Sequence, residues 1–403
     1  MNKKLSLPLA GLKVLELGHI VAGPTAGQIL GDMGADVIKV ESVTGGDQAR
    51  TMPGATIAMF HFLNRNKRSV ALDLKGEGRE IFLKMANTAD IIVDNFAYGA
   101  VDGLGVGYDV VSAFNPGVIW LSIKGYLPGP AEGRSMLDEL AQMAGGLAFM
   151  TGTPEKPTRA GSSVIDVGAA TYGIVAVLGA LRQREIQGGR GQRITAGLLE
   201  TSVYLVAQWM ATAQYSGEAS IPMSSIQQDT RMGFGIYRLF ETSDKDRVFI
   251  GIISNTHWER FCKAFELNHL FADARYKDNA GRVANRPELN AAVAKEVLRY
   301  SSDEAQRKLQ AAGVPFAPVR RPDQLADDPH LLASGQLVEM DLPNGVKARL
   351  PKLPFCAEGF DMPIRSGAPS LGADTRSVLE GLGYSTDAID GLRARGAIDT
   401  GEK

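Results

Sequence analysis

Residues 12–41, LKVLELGHIVAGPTAGQILGDMGADVIKVE, decide the fold. Residues 12–17 form an alternating apolar segment that predicts a strand. Gly23-Pro24 opens a helical stretch to Met33, and Ala35-Asp36 leads into a second apolar strand over 37–40. Pro24 suits a first helical turn, where its missing N–H would have had no partner, and Gly34 suits a helix end. The unit is β-α-β. A dinucleotide-binding domain would look similar, with Glu41 where a ribose-binding acid would fall. The turn 18–24 lacks the G-x-G-x-x-G spacing that lets a pyrophosphate approach the backbone, which argues against a nicotinamide enzyme.

Working outward, residues 69–72, 91–93 and 118–123 read as further strands and 78–86 as a helix, so strands alternate with helices. That pattern predicts an α/β fold with a largely parallel, helix-covered sheet. Open sheets of this kind bind ligands at the carboxyl ends of their strands, which singles out Val21-Ala22, Ser42, Asn95-Phe96-Ala97 and Lys124-Gly125. The basic run Asn64-Arg65-Asn66-Lys67-Arg68 reads first as a solvated loop and second as a contact for a phosphorylated ligand.

Gly161-Ser-Ser-Val-Ile-Asp166-Val-Gly168 then delivers one carboxylate to the start of a helix rich in Gly and Ala. Such a helix lets another backbone approach closely and is expected to be buried. Asp166 has two readings from its local pattern: an N-cap of that helix, or a nucleophile kept ionised by the helix start. Gly188-Gly-Arg-Gly lacks the Lys-Ser/Thr of a phosphate loop and reads as a turn. Residues 216–230, rich in Gly, Ser, Pro and Gln, read as a linker into a smaller α+β module over 231–325, with strands at 247–253 and 314–319 and helices at 256–265, 287–299 and 302–311. Residues 326–403 are loop-rich apart from two helical segments, and are expected to pack back on the first domain, 1–215.

With 403 residues, 44% hydrophobic and 22% charged, the chain is of ordinary globular composition. A net charge of −2 supplies no basic field for nucleic acid. Cys262 and Cys356 have no paired spacing, which fits a reducing cytoplasm. No run approaches the roughly 18 apolar residues of a membrane span. No two of the five histidines stand at i, i+4, so no metal site emerges, and Ser162-Ser163 lack the G-x-S-x-G of a serine hydrolase. The chemistry is left to carboxylates.

Taken together, Gly11-Leu-Lys-Val-Leu-Glu16, Ala22-Gly-Pro24, Gly34 to Glu41, Asn66-Lys-Arg-Ser69, Asp94-Asn-Phe96, Ser122-Ile-Lys-Gly125 and Gly189-Arg-Gly-Gln192 resemble the class III CoA-transferases, in that family's order and spacing. The family includes formyl-CoA:oxalate and carnitine CoA-transferases and methylacyl-CoA racemases. The resemblance implies a Rossmann-like large domain built from both chain ends, a smaller domain, and an interlocked homodimer. It also implies that Asp166, which follows Thr151-Gly152, is the nucleophile. Asp166 would attack the donor acyl-CoA carbonyl to give a mixed anhydride and then store CoA as an aspartyl thioester, so no metal or prosthetic group is needed and coenzyme A is a substrate.

By the same resemblance, CoA contacts fall on Val21, Ala22, Ser42, Leu72, Asp73, Leu74, Lys75, Asn95, Phe96, Ala97, Ser135, Met136, Leu137 and Asp138. Ser42 stands where the family often has Arg, with Lys124 or Arg134 as the compensating cation. Val21 replaces the Gln of the formyl-CoA branch, and Met136-Leu137-Asp138 lacks the His of the racemases. Asp138 has a second reading as a helix cap. The expected activity is CoA transfer between acyl-CoA thioesters and small carboxylic acids, a dicarboxylate such as succinate foremost, with Arg159, Arg231 and Arg134 available for its second carboxylate. A 2-methylacyl-CoA racemase and an acyl-CoA-binding subunit of a two-chain transferase are the alternatives.

Overall fold

The computed structural model describes residues 6–226 and 233–402. The chain divides into two compact units: Met1–Leu147 with Arg159–Gln208 and Pro329–Lys403, and Ala148–Thr158 with Trp209–Asp328.

The first unit is built on one mixed but mainly parallel sheet. Its parallel strands are β1 (Lys13–Leu17), β2 (Asp36–Ser42), β3 (Lys67–Leu72), β4 (Ile91–Asp94), β5 (Ile119–Lys124) and β6 (Arg193–Gly197). They lie in the order β3-β2-β1-β4-β5-β6, with Val14 opposite both Val37 and Ile91. Strands β4 and β5 are buried along their whole length, as a sheet covered on both faces requires. Val14, Val37, Ile91 and Leu121 face one apolar layer containing the Ala22–Asp32 and Val164–Ile186 helices; Leu15, Val40, Val70 and Ile92 face another with Phe82, Leu379 and Ile389. The α/β expectation from residues 12–41 therefore holds, and the helix between β1 and β2 ends at Gly34 with φ +109°.

The chain end does return to this sheet. Ile398 and Asp399 pair antiparallel with Leu72 and Ala71 at the β3 edge, and the Asp374 carboxylate accepts the Ser69 N–H.

The second unit carries a three-stranded antiparallel sheet of β7 (Ile236–Glu241), β8 (Arg247–Ile252) and β9 (Phe316–Pro318), in that order. Trp258, Phe261, Leu289, Val293 and Leu309 of its helices close over the inner face. Strand β7 was not foreseen from the sequence. Nor was the membership of Ala148–Thr158, held in this unit where the Ser224 hydroxyl donates to the Gly152 carbonyl at 2.7 Å. Within the stretch read as a linker, Met223–Ile226 is helical, while residues 227–230 lie outside the described residues.

The basic run 64–68 is not a solvated loop. Arg65 and Lys67 are buried, Arg65 forked onto Asp32 and Lys67 bound to Glu16 at 2.6 Å; only Arg68 keeps an exposed pair, with Asp36. Charge density along the chain could not reveal this, because each acid comes from a distant helix or strand and meets its cation only once the sheet forms.

Candidate active site

The loops at the carboxyl ends of β1, β4 and β5 meet the segment 132–139 and the start of the Val164–Ile186 helix around a cavity of about 560 Å³. Gly18 and Gly23 allow the first of these loops to fold tightly. A Cβ on Gly23 would lie 2.6 Å from the Gly18 Cα, so the turn closes only without side chains there. Of the residues anticipated from the sequence, Val21, Ala22, Asn95, Phe96, Ala97, Lys124, Arg134, Ser135, Met136, Leu137, Asp138 and Asp166 line this one cavity.

Asp166 does not precede its helix and does not cap it. The helix begins at Val164, so Asp166 stands in the first turn, and Ser163 at the cap position makes no side-chain cap bond. Asp138 supplies the cap from another helix: its Oδ1 accepts the N–H groups of Ile165 at 2.8 Å and Asp166 at 3.1 Å. Its Oδ2 takes the Gln142 amide at 2.5 Å, and Gln142 in turn accepts the Ala160 N–H. Asp138 therefore opens its own short helix, Asp138–Ala144, which ends at Gly145, and pins the neighbouring one.

The Asp166 carboxylate, by contrast, has no hydrogen-bond partner among the described residues. Burial, and then the nearby Asp138 charge, push its pKa up to about 7. A carboxyl that titrates near neutrality at a cavity wall is a functional-site signature with a physical cause.

The cations of the site have different commitments. Lys124, expected to meet a phosphate, is 8% exposed, ion-paired with Asp94, and donates to the Phe96 carbonyl at 2.7 Å. Asp94 also accepts Trp120 Nε1 and the Ser122 hydroxyl, so Lys124 serves to fix the 94–97 turn. Arg159 pairs with Glu139. Arg134 lines the cavity, exposed and without a side-chain partner among the described residues. Arg231 lies outside the described residues.

Ser42 and residues 72–75 are not in the cavity wall. Ser42 is exposed at the end of β2, opposite Leu72 at the end of β3, so these residues form a second group on the same carboxyl edge. Lys75 is exposed there and its N–H is bound by Asp73. The Leu72 side chain is a correction: it is 1% exposed and belongs to the apolar core, so only its backbone neighbours can meet a ligand.

His19, Met52, Met59 and Tyr98 also line the cavity and were missed. The His19 ring lies tilted against Phe96 with centroids 5.1 Å apart, and burial lowers its pKa, which favours the neutral form. The loop position that flagged Val21 would have reached His19 two residues earlier; nothing in the composition of residues 52–59 pointed here.

The family description "CoA-transferase family III" matches residues 9–375. Succinyl-CoA:glutarate CoA-transferase of Homo sapiens is 30% identical over 413 residues, covering 98% of this chain and 91% of its own. Succinyl-CoA:mesaconate CoA-transferase of Haloarcula marismortui is 34% identical over 350 residues, covering 83% and 86%. Among solved structures, a CAIB/BAIF family protein from Brucella suis superposes with a TM-score of 0.81 at 31% identity, covering 94% of this chain and 100% of that one.

Proposed function

Because the chain belongs to CoA-transferase family III, we propose that it moves CoA between an acyl-CoA thioester and a small dicarboxylate, with Asp166 as the group that carries each intermediate. One observation carries the choice of residue: at the cavity wall Asp166 presents a carboxylate with no hydrogen-bond partner among the described residues, and its pKa is raised to about 7. Desolvation that raises a carboxyl's pKa also makes its anion more nucleophilic, while a substantial fraction stays ionised at neutral pH.

The steps balance without an external proton. An Asp166 oxygen attacks the thioester carbonyl, the C–S bond breaks, and CoA leaves as thiolate from a mixed anhydride. The thiolate attacks the aspartyl carbonyl and expels the donor acid as carboxylate. The acceptor carboxylate then attacks the aspartyl thioester, thiolate leaves again, and its return to the acceptor's carbonyl frees both the new thioester and Asp166. The Ala22–Asp32 helix begins at the cavity wall, so its positive end favours the anions that come and go there.

The dicarboxylate reading draws on relatives named for succinyl-CoA with glutarate and mesaconate, and on Arg134, whose guanidinium lies at the cavity without a partner among the described residues. CoA itself would extend from the cavity along the carboxyl edge toward Ser42 and Lys75. The strand order β3-β2-β1-β4-β5-β6 supports describing this unit as Rossmann-like.

We further propose a homodimer, interlocked as the family resemblance implies, and the apolar surface of the long helix supports the association. Val167, Tyr172 and Val175 expose 43, 44 and 61% of their surfaces, beside Tyr204 at 66%. So much apolar surface on one helix face of a folded chain marks an association surface. Both cysteines are free, which suits the cytoplasm.

The deciding experiment is mass spectrometry of protein incubated with succinyl-CoA and no acceptor. A hydroxylamine-labile CoA adduct on the peptide containing Asp166 supports the mechanism; an adduct on any other residue rejects it.

A further inference from the structure

Beneath the cavity lies a buried ionic cluster that the transfer chemistry does not use. Lys39, fully buried, pairs with Glu16 at 2.8 Å and Asp47 at 2.8 Å and donates to the Gly18 carbonyl at 2.7 Å. Taking such charges out of water is rarely a net gain in stability, so their placement asks for a positional reason. Directly above them the backbone of the cavity-lining turn takes a conformation that its sequence resists. Ile20 has φ +64°, a left-handed conformation that a β-branched side chain disfavours and that the surroundings must impose.

The imposing contact is Asp47. Its Oδ1 accepts the Ile20 N–H at 3.0 Å and the Ala49 N–H at 2.9 Å, while Oδ2 is held by Lys39. The loop that carries Asp47 is itself fixed, since the Asp47 N–H donates to Glu41 at 2.9 Å and Arg50 forks onto the same Glu41. On the far side of the turn, the Asn95 side chain receives the His19 N–H at 2.9 Å and donates to the His19 carbonyl at 3.0 Å. The turn 18–22 is therefore clamped between the loop after β2 and the loop after β4, and four of its residues, His19, Ile20, Val21 and Ala22, face the cavity.

We propose that Asp47 is a positioning residue for CoA: it holds Ile20 left-handed, so that Val21 and Ala22 stay where CoA meets them, and ties that turn to the loop that follows Ser42. This rests on the cavity being the CoA site. Asp47 touches neither substrate nor the reacting atoms; it acts through the Ile20 amide.

Isothermal titration of CoA into the resting protein tests the inference apart from the transfer reaction. Wild type that fails to bind CoA would overturn the reading of the cavity rather than this one. Given wild-type binding, Asp47→Ala, which loses both backbone bonds, is expected to weaken CoA at least tenfold. Asp47→Asn keeps an oxygen for Ile20 and Ala49 and gives up the charge and the acceptor facing Lys39, which Glu16 and the Gly18 carbonyl still hold, so its affinity should stay within threefold. Ile20→Gly added to Asp47→Ala lets the turn reach the left-handed region without a clamp and should recover part of the lost affinity. Wild-type affinity in Asp47→Ala, or loss in Asp47→Asn as large as tenfold, overturns the proposal; the second arm stands even if the alanine variant does not fold.

Discussion

The Oδ1 of Asp138 accepts the backbone N–H of Asp166 at 3.1 Å, so one carboxylate holds in place the turn that presents the other. The two acids have opposite surroundings. Asp138 is buried with donors on both oxygens, whereas the Asp166 oxygens meet no donor among the described residues. That contrast makes Asp166 the group that titrates near neutrality, with Asp138 as the acidic neighbour that adds to the effect of burial.

Activity should therefore rise with pH through about 7, as the Asp166 anion forms. Stability should run the other way. The folded pKa lies above the unfolded value near 3.8, so between about pH 4 and 7 the native state binds more protons than the unfolded state, and unfolding free energy falls as pH rises. Asp166→Asn should remove this slope, and with it lower transfer by on the order of 10⁴-fold or more. Urea titrations of both proteins at pH 5 and 8, alongside the pH profile of exchange, check the two signs together.

Asp138→Asn keeps an acceptor for the helix start but removes the like charge, so the apparent pKa of activity should move toward the ordinary carboxylate range. Asp138→Ala leaves two buried N–H groups without a partner and should cost about 1–3 kcal/mol of stability. An unshifted pH profile in the Asn variant would show that burial alone sets Asp166.

Lys124→Ala should destabilise the fold by roughly 3 kcal/mol, because it strips the cation from the buried Asp94. Chemical denaturation measures this directly. A variant of wild-type stability that had lost only CoA affinity would return Lys124 to the ligand-binding role read from the sequence.

Arg134→Ala, in contrast, should leave stability within about 0.5 kcal/mol, since the side chain is exposed and has no partner among the described residues. Its effect should appear as a roughly tenfold rise in KM that shrinks as salt is added, the behaviour of an exposed charge contact. Comparing a dicarboxylate with a monocarboxylate acceptor tells whether the lost contact was with the acceptor or with CoA.

Val175→Asp places a charge in the centre of the exposed apolar helix face, where Val175 shows 61% of its surface. Sedimentation equilibrium should find wild type as a dimer and this variant dissociated or unfolded. A variant that stays dimeric would place the association surface elsewhere.

The sheet was legible in residues 12–41 because its apolar period, Pro24 and Gly34 all act within a few positions of one another. The cavity was legible wherever a strand's carboxyl end could be counted, which covers Val21, Asn95 and Lys124. What stayed hidden depends on long-range pairing. Lys124 resembles a phosphate ligand until Asp94 is brought beneath it, and Arg65 resembles a solvated charge until Asp32 arrives from 33 residues away. Asp138 and Asp166 were both singled out and both line the cavity, but their division of labour stayed hidden, since which acid caps the helix is decided by packing between residues 27 positions apart.

The antiparallel pairing of Ile398–Asp399 with β3 also sets a schedule for biosynthesis. Ser69 leaves the ribosome 305 residues before Asp374, the residue that binds its N–H, which at ~5–20 residues per second is an interval of roughly 15–60 s. Through that interval the β3 edge is an open template for foreign strands, and the nascent chain must remain shielded until its own last strand can dock.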